Sequence, residues 1–308
     1  MSKVYLVTVS DDRFGRKGGY EKIQNNIEIF FKNHDLGLED IFNYKWKDIY
    51  NSEFYKENEV LLKWINPDLN GRVYKPYVIL ESLKKINDND YLVYNDCSPE
   101  HWKFANNKIP DIKRKVNLEI LKKICNYNKD IVTVYNTGDY NGGWRGGPGP
   151  HTHERMTHPT CIRKMKCEAY THCLQHASGM IIMKKTDRIV KFVEDWLYFN
   201  RMPECSAMCN TKILEETNSE FVQKVNEYLK HLGGGEYFKY WDEGLEENPR
   251  LHGHRHDQSI SGLLLNKMDH KLINIEKTPF FGRFNFLEYC RYGQEYKFID
   301  SMRRDTQI

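Results

Sequence analysis

At 308 residues, with 40% hydrophobic and 29% charged side chains, the chain is long enough to bury one large core without disulfides or metal. A formal charge of +3, with Lys and Arg interspersed among Asp and Glu, argues against a dedicated nucleic-acid surface but leaves room for a local anion site. No run approaches the roughly 18 apolar residues needed to span a bilayer, and Val4 to Val9 is too short for a signal segment, so a cytosolic protein is expected.

Residues Lys3 to Val9 read KVYLVTV, a strand that runs into the polar cluster Ser10 to Gly19 and then an expected helix from Tyr20 to Lys32. Pro76 suits the first turn of a helix in which Val78, Ile79, Leu80, Leu83 and Ile86 recur at three- and four-residue steps. The turn Asn87 to Asp90 delivers a strand, Tyr91 to Asn95, and a helix from Val116 to Tyr127 precedes the strand Ile131 to Tyr135. Such alternation predicts an α/β fold with a mainly parallel sheet. From Asn136 to Pro159 apolar periodicity is absent, which predicts a functional loop or lid. Gly179 to Met183 reads as a strand, and Thr186 caps a helix with Ile189, Val193, Trp196 and Leu197 on its apolar face. A helix from Phe221 to Leu232 stops at Gly233 to Gly235. Asp257 is expected to cap the last clear helix, with Ile260, Leu263, Leu264 and Met268 toward the core, before a strand at Lys271 to Glu276. One domain is expected over 1–308, with halves at about 1–135 and 136–276 and a tail at 277–308.

Four segments carry the polar groups that chemistry needs. The strand Leu92 to Asn95 ends in Asp96, followed by Cys97 and Ser98, and a carboxylate at the carboxyl end of such a strand faces a crevice where it can hold a divalent cation or simply cap a turn. Arg72 and Lys75 flank an expected helix start, a place that favours anions such as phosphate. His252, His254, His256, Asp257 and Gln258 converge before the last helix, a donor and acceptor set that suits sugar hydroxyls. The run His151, His153, His158, Cys161, Cys167, His172, Cys173 and His176 has gaps too irregular for a structural zinc site. Eight cysteines without a C-x-x-C pair are expected to be reduced thiols.

Three segments, taken in order, resemble a family of nucleotide-sugar-dependent glycosyltransferases with the GT-A fold. They are Tyr74-Lys75-Pro76 within GRVYKPYVILESL, Tyr94-Asn95-Asp96-Cys97-Ser98, and His254-Arg255-His256-Asp257-Gln258-Ser259. The family carries G-x-x-Y-x-x-K-P, Y-x-D-A-G and H-R-x-D-Q-S in the corresponding places. Gln175 to Trp196 is also similar to it, so the likeness spans about residues 3 to 275. The D-Q element further resembles the D-Q-D turn of retaining galactosyl- and glucosyltransferases.

The resemblance implies a Rossmann-like GT-A domain that moves a sugar from a nucleotide-diphospho-sugar donor to a glycan, polysaccharide or other hydroxyl acceptor. Thr8, Val9 and Ser10 would bind the nucleotide, with Arg72 and Lys75 near its phosphates and Asp96, Cys97 and Ser98 beside them. Asp257 and Gln258 would address the donor sugar as the catalytic pair, while Trp144 and His256 meet the acceptor. Ser98 stands where a second acidic residue is usual, which implies a weakly held manganese or magnesium ion on Asp96 with His252 or His254, or none at all. Two other readings stay open: a nucleotidyltransferase using the loop Phe14 to Gly19, and a non-catalytic glycan- or zinc-binding protein.

Overall fold

The computed structural model describes residues 2–10, 24–25, 38–59, 62, 73–96, 130–133, 152–176, 178–202, 205, 246–251, 254, 256–268 and 273–275. Its strands are β1 (Val4–Ser10), β2 (Leu38–Lys45), β3 (Tyr91–Asp96), β4 (Ile131–Thr133), β5 (Met180–Lys184) and β6 (Ile273–Ile275). They form one sheet in the order β2-β1-β3-β5-β4-β6. β1 pairs in parallel with β2 and β3, and β4 in parallel with β6, whereas β5 runs antiparallel to both of its neighbours. The fold is therefore α/β with a mostly parallel sheet interrupted by one reversed strand.

The central strands are apolar because both of their faces are covered. Leu6 and Val7 of β1 and Leu92 and Val93 of β3 are all buried. β2, at one edge of the described sheet, is only partly buried and carries Asp40 and Asn43, so its sequence lacks the strand signal that marked β1. The turn before β3 is tied to the start of β1, since Asp90 accepts from the main-chain N–H of Lys3 at 2.8 Å and that of Asn87 at 3.3 Å.

The helices are α1 (Trp46–Tyr50), α2 (Glu53–Glu57), α3 (Tyr74–Lys85), α4 (His153–Met156), α5 (Pro159–Lys164), α6 (Asp187–Asn200) and α7 (Asp257–Lys267). Pro76 lies in the first turn of α3, where a missing N–H breaks no helical bond. Thr186 caps α6 by accepting from the Ile189 N–H at 3.3 Å, and Ile189, Phe192, Val193 and Trp196 bury its apolar stripe. α3 packs on β1, β3 and α6, and α6 packs on α7, so the three long helices form a continuous row.

Two expectations change. Part of the loop foreseen over Asn136 to Pro159 is helical: Thr152 bridges Leu174, α4 follows at once, and Pro159 opens α5. α7 begins at Asp257, with His256 as the residue before it, and Asp257 does not cap its own helix. Instead of one apolar stripe, α7 buries Ser259, Ser261, Gly262 and Asn266 along with Ile260, Leu263 and Leu265, while Leu264 and Met268 are only half-buried. Gln24 and Asn25 are helical; the rest of the expected helix Tyr20 to Lys32, and the expected helices Val116 to Tyr127 and Phe221 to Leu232, lie outside the described residues.

Gly262 lets α7 approach α4. A Cβ at that position would stand 2.9 Å from Cε1 and 3.1 Å from Nε2 of the buried His153 ring, and 3.3 Å from the His176 nitrogen. Alanine favours a helix over glycine by about 1 kcal/mol, but forcing a methyl into a packed core costs about 1–3 kcal/mol. Gly262→Ala is therefore expected to lower stability in denaturant titrations, and a more stable variant would show that the ring gives way freely.

Candidate functional site

The parallel strands end at one edge of the sheet, and the registers Val9 opposite Asp96 and Ser10 opposite Lys45 bring β1, β2 and β3 to it together. Because β5 runs the other way, its entry lies at that same edge, where the Asp96 N–H donates to the Gly179 carbonyl at 2.9 Å. The reversed strand thus delivers Ser178 to the carboxyl end of β3. Two further elements reach this edge: the first turn of α3 supplies Lys75, and the first residue of α7 supplies Asp257.

These residues meet around one ammonium. Lys75 Nζ lies 2.7 Å from Asp257 Oδ2 and 3.3 Å from Asp96 Oδ1, and it donates to the main-chain oxygen and the hydroxyl of Ser178, both at 3.2 Å. The lysine is fully buried, and Asp96 and Asp257 are nearly so. Ser178 donates to Asp257 Oδ2 at 2.9 Å, and the Tyr94 hydroxyl donates to Asp96 Oδ1 at 2.6 Å. The Tyr94 ring also stands 5.2 Å from Nζ, within reach for a cation–π contact. Trp196 of α6 fixes the start of α7, its indole N–H donating to the Asp257 main-chain oxygen at 3.0 Å. Two carboxylates and one ammonium leave the cluster with a net negative charge.

The expected sites of Lys75, Asp96 and Asp257, separated by up to 182 positions in the chain, are thus one site. The role foreseen for Lys75 changes, since its ammonium is enclosed by protein oxygens instead of facing phosphate at an open helix start. Asp257, expected as a cap, turns its carboxylate to Lys75 and Ser178. Among the described residues its other oxygen, Oδ1, has no hydrogen-bond partner.

Thr8, Val9 and Ser10 end β1 beside Asp96 and are buried. Thr8 donates to Asn43 Oδ1 at 2.8 Å, and the Gln24 amide donates to the Thr8 hydroxyl at 3.0 Å and to the Tyr44 carbonyl at 2.9 Å. Ser10 Oγ and Gln24 Oε1 are buried without a hydrogen-bond partner among the described residues, so hydrogen-bonding capacity is left open at the end of β1.

Gln258 has its amide orientation set by a residue that sequence reasoning left without a role. Gln175 is fully buried, and its Nε2 donates to the Met156 carbonyl at 3.0 Å, to Thr157 Oγ1 at 2.9 Å and to Ser259 Oγ at 3.0 Å. Its oxygen then accepts from Gln258 Nε2 at 3.3 Å, which commits that end of the Gln258 amide as a donor and leaves its carbonyl oxygen as an acceptor. Ser178, Tyr94, Gln175 and Trp196 all support this site; of these Ser178 and Gln175 are buried polar residues, which leave no periodic mark in a sequence. His256 holds φ 49° and ψ −118°, a conformation that favours glycine, and its ring meets that of His254 edge-on at 5.3 Å between centroids. Arg72, Cys97, Ser98, Trp144 and His252 lie outside the described residues.

A divalent cation on Asp96 and His254 does not fit this arrangement. His254 accepts from the His158 N–H at Nδ1, 3.1 Å away, and its Nε2 reaches the Cys205 carbonyl at 2.7 Å, so both ring nitrogens are committed to the backbone. The Lys75 ammonium already sits against Asp96. A divalent ion about 4 Å from an ammonium is opposed by about 8 kcal/mol at an effective dielectric of about 20. Among the described residues, no three His, Cys, Asp or Glu side chains group as a cation site. No helix of the described residues is long and apolar enough to cross a membrane.

No protein-family model matches the chain, and a search of curated proteins finds no relative.

His153 and His254 are held neutral by burial. His153, whose Nδ1 lies 3.1 Å from Thr157 Oγ1, is pushed down to about 3 by burial and by the neighbouring His176. His254 is held well below the usual range by burial and then by His256. Burial also pushes the Cys167 thiol up to about 11 and raises Cys161, so these free cysteines are poor nucleophiles. A depressed folded-state value means that stability is full above the unfolded value near 6.5 and falls as the unfolded chain alone takes up protons, down to about 3 for His153. Denaturant unfolding at pH 7 and pH 5 is expected to show that the His153→Gln variant loses about 2 kcal/mol less than the wild type over that step. Equal losses would place the His153 proton on the folded chain.

Proposed function

We propose that this chain is a glycosyltransferase of the GT-A type, taking a sugar from a nucleotide-diphospho-sugar and passing it to a hydroxyl acceptor. One observation carries the reading. The three segments that resemble the family lie far apart in sequence, yet Lys75, Asp96 and Asp257 join in a single buried cluster at the carboxyl edge of a mostly parallel sheet. That edge is where open α/β sheets bind ligands. In this reading the nucleoside would be met by the open hydrogen-bonding groups at Ser10 and Gln24, at the end of β1. Asp257 Oδ1 and the Gln258 carbonyl would offer two acceptors to a pair of sugar hydroxyls.

In this reading the acceptor hydroxyl attacks the anomeric carbon, the bond from that carbon to the diphosphate oxygen breaks, and nucleoside diphosphate leaves, taking up the hydroxyl proton or releasing it to water. The chain's part is to orient the sugar through Asp257 and Gln258 and to keep both rigid through Lys75, Ser178, Trp196 and Gln175. Arg72, at the entry to α3, is assigned to the phosphates, and Trp144 and His256 to the acceptor.

Thermal unfolding of the full chain against a panel of nucleoside diphosphates and nucleotide-sugars tests the donor. A true donor at 100 times its dissociation constant adds about 2.7 kcal/mol of stability, and incubation should release free nucleoside diphosphate. Gln258→Ala should then reduce kcat/KM at least tenfold with a melting temperature near that of the wild type, because it removes an oriented acceptor and no buried charge. If no member of the panel stabilises the chain, the reading fails.

A further inference from the structure

Four oxygens surround Lys75 Nζ within 3.3 Å: Asp96 Oδ1, Asp257 Oδ2, and the carbonyl and hydroxyl oxygens of Ser178. Two carboxylates, a main-chain carbonyl and a hydroxyl form the kind of hard-oxygen set that holds calcium, magnesium or manganese. Here an ammonium fills it. The lysine reaches the set from the first turn of α3 with its whole side chain buried, so it does not swing out to solvent as a surface lysine does. We propose that the Lys75 ammonium is the permanent cation of this site, filling the oxygen cage of Asp96, Asp257 and Ser178 that a divalent ion would otherwise take.

The consequence is a site whose positive charge is carried by the chain itself and stays put as ligands come and go. Lys75 acts as a positioning residue: it holds the two carboxylates together and engages Oδ2 of Asp257, which leaves Oδ1 for a ligand. The inference rests on the glycosyltransferase reading only for the identity of the ligand, a nucleotide-sugar that would be bound without a metal bridge between its phosphates and Asp96. The cage itself stands on the geometry.

Thermal unfolding of the full chain after chelation, with manganese, magnesium or calcium chloride added and no nucleotide present, provides the test. The variants are Lys75→Met, which empties the cage of its ammonium, and Lys75→Met with Asp96→Asn, which also removes one carboxylate. The wild type is expected to be indifferent to all three ions. Lys75→Met should melt about 10 °C lower, since two buried carboxylates lose their counter-charge. Manganese or calcium should then raise its melting temperature by about 5 °C at a hundredfold excess over the dissociation constant. The double variant should lose that response while regaining part of the stability. If Lys75→Met is recovered unfolded, refolding with the ion and with chelator replaces the melting curve, and folded protein only with the ion supports the cage. Stabilisation of the wild type by these ions, an equal response of the single and double variants, or no folded Lys75→Met in either buffer would overturn the proposal. Because no nucleotide is present, these outcomes are separate from those of the nucleotide-sugar panel.

Discussion

A lysine ammonium removed from water is stable only if charge and hydrogen bonds replace its hydration, and Lys75 obtains both from residues on three other segments. Asp96 closes β3, Ser178 leads into β5, and Asp257 opens α7, so the ion cluster fastens the first turn of α3 to all three. Taking away one partner of such a group leaves uncompensated buried charge, at about 3–5 kcal/mol, whereas each surface pair in this chain, such as Lys56 with Glu53, contributes far less. The cluster therefore constrains where α7 begins, which explains why Asp257 serves the sheet edge instead of its own helix.

Around the cluster the supporting contacts come from rigid elements. Trp196 is anchored in the apolar stripe of α6 and holds the Asp257 carbonyl, and Gln175 spends both ends of its amide on the backbone and on α7. His153 takes the space that Gly262 leaves. A site framed this way is organised before any ligand arrives, so less ordering is required on binding.

The sequence made much of the scaffold legible because apolar periodicity survives where elements are covered. β1, β3, α3 and α6 announced themselves through Val4 to Val9, Tyr91 to Asn95, Val78 to Ile86 and Ile189 to Trp196. β2 did not, since an edge strand holding Asp40 and Asn43 lacks continuous apolar character. The short helices α4 and α5 are fixed by tertiary contacts, such as the His158 N–H bond to His254, and so a stretch without periodicity proved partly helical. In the site, motif order was enough to single out Lys75, Asp96 and Asp257. The burial of Lys75 was not legible, because nothing local distinguishes a lysine that pairs 182 positions away from one at a solvated helix start.

The reversed strand also governs the order in which this sheet can be assembled. β1, β2 and β3 pair directly, but among the described strands β4 and β6 reach them only through β5, whose Lys184 pairs with Tyr91 of β3, far earlier in the chain. Such pairing carries a high loop-closure entropy and belongs to the slow class of folding steps. As the chain leaves the ribosome, β4 must wait, its apolar Ile131 and Val132 unpaired, until the chain has been made through Lys184. During that interval the unpaired apolar strand exposes the nascent chain to aggregation.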